Sequence, residues 1–238
     1  FLFTKNIDKK IKTLIILWLL LAPIPSIITS DGGTHAIRLL FMLPPLILLI
    51  ACGAYYLWEI FPLKFRKYYV LITTIAFVLS LAFYQHNYWN HYPWESEKWW
   101  QAGYEDMVKS VLNLSNQYDK IIISDADEPS LLFFLGFSKF PPADFQKNYP
   151  LRKELIPGFG ETEKLGKYYF PQQGKEVGLY EIGKILPKGT LYVATQKEIV
   201  QDLINDPERI PNDIKLVKII TYPSGKPAFY FFDKGDKQ

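Results

Sequence analysis

Leu39-Leu-Phe-Met-Leu-Pro-Pro-Leu-Ile-Leu-Leu-Ile-Ala-Cys-Gly-Ala-Tyr-Tyr-Leu-Trp-Glu-Ile-Phe61 decides the architecture. The run carries one charge, Glu59, close to its end. A helix needs roughly 17–25 predominantly apolar residues to cross the hydrocarbon of a bilayer, and this run is long enough. Thr13–Thr29 before it and Tyr69–Gln85 after it have the same character. A buried helix of a soluble protein is the competing reading, and three such runs in succession argue against it. The spacing therefore predicts three spans, about 13–29, 39–61 and 69–85, within a membrane region 1–87. Residues 88–238 have the composition of an ordinary water-soluble domain, so the chain reads as two regions in two solvents.

The whole chain has 238 residues, 49% of them hydrophobic and 16% aromatic, with a net charge of +3. Its basic residues are scattered, and neither the charge nor its pattern suits nucleic acid. The single cysteine, Cys52, lies within the second span, cannot form an internal disulfide, and reads as a small hydrophobe. The chain starts Phe1-Leu-Phe-Thr-Lys5, without Met or a signal-peptide pattern. Phe1–Phe3 read as the tail of an earlier span, so the expectation is a C-terminal piece of a longer membrane protein that supplies upstream helices.

Basic residues set an orientation. Lys5, Lys9, Lys10 and Lys12 precede the first span, and Lys64, Arg66 and Lys67 follow the second. Between spans one and two stands only Arg38. The positive-inside rule then puts the lysine-rich segments in the cytoplasm, and the 30–38 loop and everything after residue 88 outside. Pro23, Pro25, Pro44 and Pro45 interrupt the first two spans and free backbone carbonyls, which predicts packing inside a larger bundle. Tyr88, Trp89, Tyr92 and Trp94 suit the aromatic belt at a membrane–water interface.

The loop between the first two spans, Ser30-Asp-Gly-Gly-Thr-His-Ala-Ile-Arg38, holds Asp31, His35 and Arg38 at that boundary. Gly32 and Gly33 permit a tight turn. An arginine at the bilayer centre costs about 2.5–3.5 kcal/mol on insertion scales, so Arg38 belongs at the interface. There it can pair with Asp31, reach headgroups as an anchor, or grip a phosphate bidentately, with His35 one helical turn before it.

The run Ala22-Pro-Ile-Pro-Ser26, Thr29, Asp31-Gly-Gly33, His35-Ala-Ile-Arg38 and Leu43-Pro-Pro45 resembles polytopic glycosyltransferases of the GT-C superfamily. The likeness is to the bacterial protein O-mannosyltransferase-like group, glycosyltransferase family 39, and covers about residues 10–145 and, more weakly, the rest. In that group a late periplasmic loop of this form precedes a proline-containing span, and an extracytoplasmic α/β domain often follows. The resemblance implies a multi-pass enzyme of the cytoplasmic membrane. It would transfer a sugar from a polyprenyl-phosphate donor at the outer face to a glycan, lipid or protein acceptor. It also implies that Arg38, with His35 and Asp31, contacts the donor's phosphate. The family's catalytic acid lies in the first extracytoplasmic loop, and no residue here matches it. The catalytic residues are therefore expected upstream, and residues 1–238 alone are expected to be inactive.

In 88–238, Trp99–Gln117 reads as an amphipathic helix with Trp100, Tyr104, Met107, Val108, Val111 and Leu114 as its core stripe. Lys120–Ser124 reads as a buried strand, and Ser130–Phe137 as a helix. Helix, strand, helix in this order predicts an α/β domain with a partly parallel sheet. Asp125, Asp127 and Glu128 fall at the carboxyl end of that strand, where open α/β sheets bind ligands. They can hold a divalent cation or sugar hydroxyls, or Asp127 can simply cap the next helix. Capping accounts for the pattern without a ligand, and no cofactor or metal is required. Tyr168, Tyr169 and Phe170 form a sugar-stacking surface or pack beneath a loop. Pro157-Gly-Phe-Gly160 is a turn and lacks the phosphate-loop pattern. Thr190–Ala194 reads as a strand, Thr195-Gln-Lys-Glu198 as the capping box of a following helix, and Lys215–Tyr222 with Ala228–Phe232 as a closing hairpin. His86 and His91 lie in the aromatic belt without a further ligand at metal spacing. The alternative to the enzyme is a non-catalytic, membrane-anchored binding or assembly module. A transporter is disfavoured, because no span carries central ionisable residues.

Overall fold

The computed structural model describes residues 7–29 and 36–234. Asp31 and His35 lie outside the described residues. The chain divides into two compact units, Phe1–Gln85 and His86–Gln238.

In the first unit, the Asp8 carboxylate accepts from the Lys10 backbone N–H at 2.9 Å and caps α1 (Lys9–Leu21). Pro23 ends that helix region in a turn, and α2 (Ile24–Ile27) adds one further turn with Pro25 at its start. A 3-10 segment, Ala36–Met42, runs directly into α3 (Leu43–Ile60), and α4 (Leu63–Asn90) follows Pro62. Three stretches, Lys9–Ile27, Ile37–Ile60 and Leu63–Asn90, are long and apolar enough to cross a membrane.

Two details differ from expectation. Pro44 and Pro45 stand in the first turn of α3, not inside a helix they would break. The first N–H groups of a helix have no intrahelical acceptor, so proline forfeits nothing there. The apolar run changes from 3-10 to α winding at the prolines and stays continuous. The third helix also extends beyond 69–85 at both ends. Lys64, Arg66 and Lys67 are good helix formers, and no proline falls between Pro62 and Pro93. At about 1.5 Å per residue its 28 residues reach about 42 Å, more than the roughly 30 Å of bilayer hydrocarbon. Its ends therefore suit the headgroup zones.

Few side chains of these helices are buried; Ile15, Ala22, Ser26 and Pro45 are the described ones. Ile50, Leu63, Leu79 and Phe83 are among many exposed apolar groups. Surface of this kind calls for lipid or further helices around it. The α3–α4 corner is fixed by Tyr69, whose hydroxyl donates to the Ala54 carbonyl at 3.0 Å while its ring lies against Trp58 and Phe61. There the Arg66 guanidinium sits 5.0 Å from the Trp58 ring centre, and its Nε donates to the Phe61 carbonyl at 3.2 Å.

The second unit is a three-layer α/β arrangement. Its helices are α5 (Tyr92–Ser96), α6 (Tyr104–Leu114), α7 (Ser130–Phe137), α8 (Pro142–Asn148) and α9 (Leu179–Ile185). Its strands are β1 (Lys120–Ile123), β2 (Arg152–Ile156), β3 (Gly160–Leu165), β4 (Tyr168–Pro171), β5 (Thr190–Thr195), β6 (Ile214–Thr221) and β7 (Pro227–Lys234). They form one sheet in the order β2-β3-β4-β1-β5-β7-β6. β1 runs parallel to β4 and to β5, and the outer pairs are antiparallel.

Strand alternation sorts the core into two clusters. Ile121, Ile123, Leu191, Val193, Phe229 and Phe231 face α6 and α7. Ile122, Tyr192, Ala194, Tyr230 and Phe232 face α9 and the segment carrying Ile199 and Leu203. Burying a side chain of this size stabilises by about 1.5–3 kcal/mol relative to exposing it, which is why both faces of the sheet are apolar.

Two expected helices are corrected. α6 begins at Tyr104 and not at Trp99, because Gly103 has φ of +89°, which no α-helix accommodates. Trp100 is consequently no part of the core stripe: it is 69% exposed, and its indole N–H donates to the Tyr92 hydroxyl at 3.1 Å. Tyr104, Met107, Val108 and Val111 keep the stripe. After Thr195 the chain makes a turn, and no helix follows. Glu198 does accept from the Thr195 backbone N–H at 2.9 Å, as a capping box requires. Asp202, Asn205, Asp206 and Pro207 are poor helix formers, and the next regular structure is a 3-10 turn at Pro207–Arg209.

Candidate functional site

Arg38 lies in the 3-10 segment before α3 and is half-buried. Its guanidinium donates to the Thr29 hydroxyl. Thr29 in turn donates to the Pro25 carbonyl at 3.0 Å. The 3-10 segment is thereby tied to the end of α2 across the loop. The tie uses one of the five N–H donors of a guanidinium and orients the planar group at the ends of two apolar helices. Thr29 and Arg38 are both residues on which the family resemblance rests.

The second unit holds a different candidate. β1 leads into α7, whose Phe134 joins the cluster with Ile121 and Ile123. β4 leads into α9, whose Ile182 joins the cluster with Ile122. The two connections leave neighbouring parallel strands on opposite faces, which opens a crevice at their carboxyl ends. A cleft of about 280 Å³ lies there, lined by Asp125, Thr162, Glu163, Phe170, Pro171 and Gln172 among others.

Asp125 lines that cleft and is 8% exposed. Its carboxylate accepts from the Ser130 backbone N–H at 2.9 Å and from the Ser130 hydroxyl. Asp125, and not Asp127, thus satisfies the start of α7. Burial pushes the Asp125 carboxyl up to about 6, against the two Ser130 hydrogen bonds, and Glu163 adds to the rise. Asp127 turns away to Lys98 at 3.8 Å. Asp127 and Glu128 act on the Tyr104 phenol, whose ionisation is pushed far up by burial first and by these carboxylates second. Asp125 adds a smaller rise of its own, so all three acids lie within electrostatic reach of that phenol while Asp125 and Asp127 take different hydrogen-bond and ion-pair partners. Among the described residues, no group of three or more His, Cys, Asp or Glu side chains is placed to hold a metal ion.

Tyr168, Tyr169 and Phe170 occupy consecutive positions of β4. Tyr169 is buried on the α9 face and Phe170 on the α7 face, so they make no common stacking surface.

Glu198 is a second buried carboxylate, at the carboxyl end of β5. It accepts from the Val177 N–H at 3.0 Å, from the Thr195 N–H, and from the Tyr192 hydroxyl. Burial raises its ionisation above the usual range, while hydrogen bonds from Ser124, Tyr192, Thr195 and Val177 pull the other way. Its only signal in the sequence is Thr-x-x-Glu, which reads as a helix start.

His86 and His91 meet with their Nε2 atoms 3.3 Å apart, and the Asn90 amide nitrogen lies 3.2 Å from His86 Nδ1. The spacing of five places them on either side of the end of α4. The exposed rings of Tyr88, Trp89, Tyr92, Trp94, Trp99 and Trp100 share this stretch. No family model, no curated protein and no solved structure matches the chain.

Proposed function

We propose that this chain belongs to an integral-membrane glycosyltransferase that takes a sugar from a polyprenyl-phosphate donor at the extracytoplasmic face of the cytoplasmic membrane. The observation that carries the proposal is the hydrogen bond from Arg38 to Thr29. It fixes a permanently charged fork where two apolar helices end, and a lipid-linked phosphate at a headgroup zone would meet that fork. Arg38 has the role of binding the donor phosphate, and the family resemblance gives Asp31 and His35, earlier in the same loop sequence, a part in that contact. The lysine-rich ends at residues 5–12 and 64–67 favour a cytoplasmic location for those segments, and hence an outer location for Arg38 and for the α/β unit.

The cleft at Asp125 favours a second reading, a membrane-anchored module whose α/β unit binds a ligand without catalysis. One assay separates the two. The full-length protein, reconstituted in liposomes, is supplied with a panel of radiolabelled polyprenyl-phosphate sugars. Turnover of at least one donor is the expected result. No release of sugar from any donor across the panel would refute the enzyme and leave the anchored module.

A further inference from the structure

We propose that the turn carrying Trp99 and Trp100 is a membrane contact of the α/β unit, its two indoles seated in the headgroup zone of the bilayer that α4 crosses. Neither ring packs into the core: Trp99 is 79% exposed and Trp100 69%. Neighbouring large apolar side chains left open on a water-soluble unit mark a surface that something else covers. An indole combines a broad apolar face with one N–H donor, and that mixture suits the boundary between hydrocarbon and water. The inference rests on α4 crossing a membrane and is independent of the glycosyltransferase reading.

The turn is firmly built. The Trp100 N–H donates to the Ser96 carbonyl at 3.1 Å and the Ala102 N–H to the Glu97 carbonyl at 3.0 Å, which closes the chain over residues 96–102. The buried Glu97 carboxylate accepts from the Ser224 N–H at 3.0 Å and from the Ser224 hydroxyl, and so ties the turn to the β6–β7 connection. Gln101 has φ of +50°, in the left-handed region that residues other than glycine rarely adopt. A buried carboxylate and a left-handed Gln101 both cost free energy, and the conformation they hold leaves two consecutive indoles uncovered.

A string of rings points to lipid as the covering surface. Trp89, in the last turn of α4, meets Tyr88 edge-on with ring centroids 5.1 Å apart, and Tyr88 stacks on Tyr92 at 5.7 Å. The Tyr92 hydroxyl accepts from the Trp100 indole at 3.1 Å. Trp100 is thereby joined to the end of a helix long and apolar enough to cross a bilayer. That helix outruns the hydrocarbon, so an indole tied to its last turn meets headgroups first. Lys98, the cation of the turn, is answered by Asp127 at 3.8 Å. The contact therefore calls for an ordinary zwitterionic phospholipid and has no need of an anionic one.

The test compares the full-length protein in phosphatidylcholine vesicles with its double variant Trp99→Phe/Trp100→Phe, which keeps apolar rings on an exposed turn. The tryptophan fluorescence lost on substitution is the signal of the two indoles. That signal is expected to lose most of its intensity when the lipid acyl chains are brominated close to the headgroup, and to resist quenching by iodide in the water. The fluorescence that persists in the double variant includes Trp18 of α1 and Trp58 of α3, and reports insertion in the same sample. A two-indole signal that iodide quenches and brominated lipid leaves unchanged would overturn the proposal. Protection from both quenchers would overturn it too, and would place a protein surface over the rings. Absence of lipid quenching from the persisting signal as well would remove the membrane premise along with the proposal.

Discussion

Glu198→Ala is expected to destabilise the α/β unit by about 3–5 kcal/mol, because it strands several buried donors at once. The side chain is 6% exposed and accepts from two backbone N–H groups, those of Val177 and Thr195, and from the Tyr192 hydroxyl. Each buried donor left without an acceptor costs about 1–3 kcal/mol, and partial entry of water into the vacated space keeps the sum below three full penalties. Tyr192 itself is fully enclosed in the sheet core, so its hydroxyl has no easy route to solvent. The carboxylate also joins distant segments: residue 177 before α9, the end of β5, and the turn at 195–198. Urea unfolding of the full-length protein, followed by the near-ultraviolet signal of the α/β unit's buried tyrosines, measures the change. A loss below about 1 kcal/mol would show that the buried carboxylate does not hold these segments together.

Asp125→Asn is expected to remove a pH dependence of stability amounting to about 3 kcal/mol. Burial raises the folded-state carboxyl from the usual 3.8 to about 6. A raised value means that the folded protein holds the proton more tightly than the unfolded chain does. The associated stabilisation is fully present below about pH 3.8, declines as pH rises, and is gone above about pH 6. A shift of about two units corresponds to about 3 kcal/mol at 1.36 kcal/mol per unit. Glu198 titrates with the same sign, whereas Glu154 and Asp202, whose carboxyls are held low by Lys164 and Asn205, act in the opposite sense. The informative quantity is therefore the difference between the wild type and Asp125→Asn, measured as unfolding free energy from pH 4 to pH 7. Asparagine keeps an oxygen for the Ser130 N–H, so the variant should fold. The difference should change by about 3 kcal/mol over that range. Parallel curves would place the Asp125 carboxyl at its ordinary value.

The three apolar helices were legible because length and hydropathy decide a span without tertiary detail. What local pattern missed was winding and extent: the change from 3-10 to α at Pro44, and the growth of α4 over Lys64–Lys67, where cationic stems tolerate a membrane edge. The strands β1 and β5 and the β6–β7 hairpin could be read from apolar runs and turn residues. The segment 139–189 could not, since β2, β3 and α9 are short and owe their form to the sheet they join. Trp100 illustrates a limit of periodicity: it lies in phase with a buried stripe, yet Gly103 separates it from the helix. Thr195–Glu198 illustrates another, because the hydrogen bond of a capping box formed without the helix. The carboxylates at 125–128 were correctly located at a strand's carboxyl end, but which of them turned inward depended on Ser130 and Lys98.

The central claim is that Arg38 binds the phosphate of a lipid-linked sugar. The most direct measurement is donor saturation of the full-length protein in liposomes, comparing wild type, Arg38→Lys and Arg38→Ala, each checked for equal membrane insertion. Losing a charge-assisted phosphate contact costs about 1.5–3 kcal/mol, so Arg38→Ala should raise the donor concentration at half-saturation about tenfold or more. Arg38→Lys should fall between, since an ammonium keeps the charge and loses the fork. Identical donor saturation in all three proteins would contradict the account and make Arg38 an interfacial anchor held by Thr29.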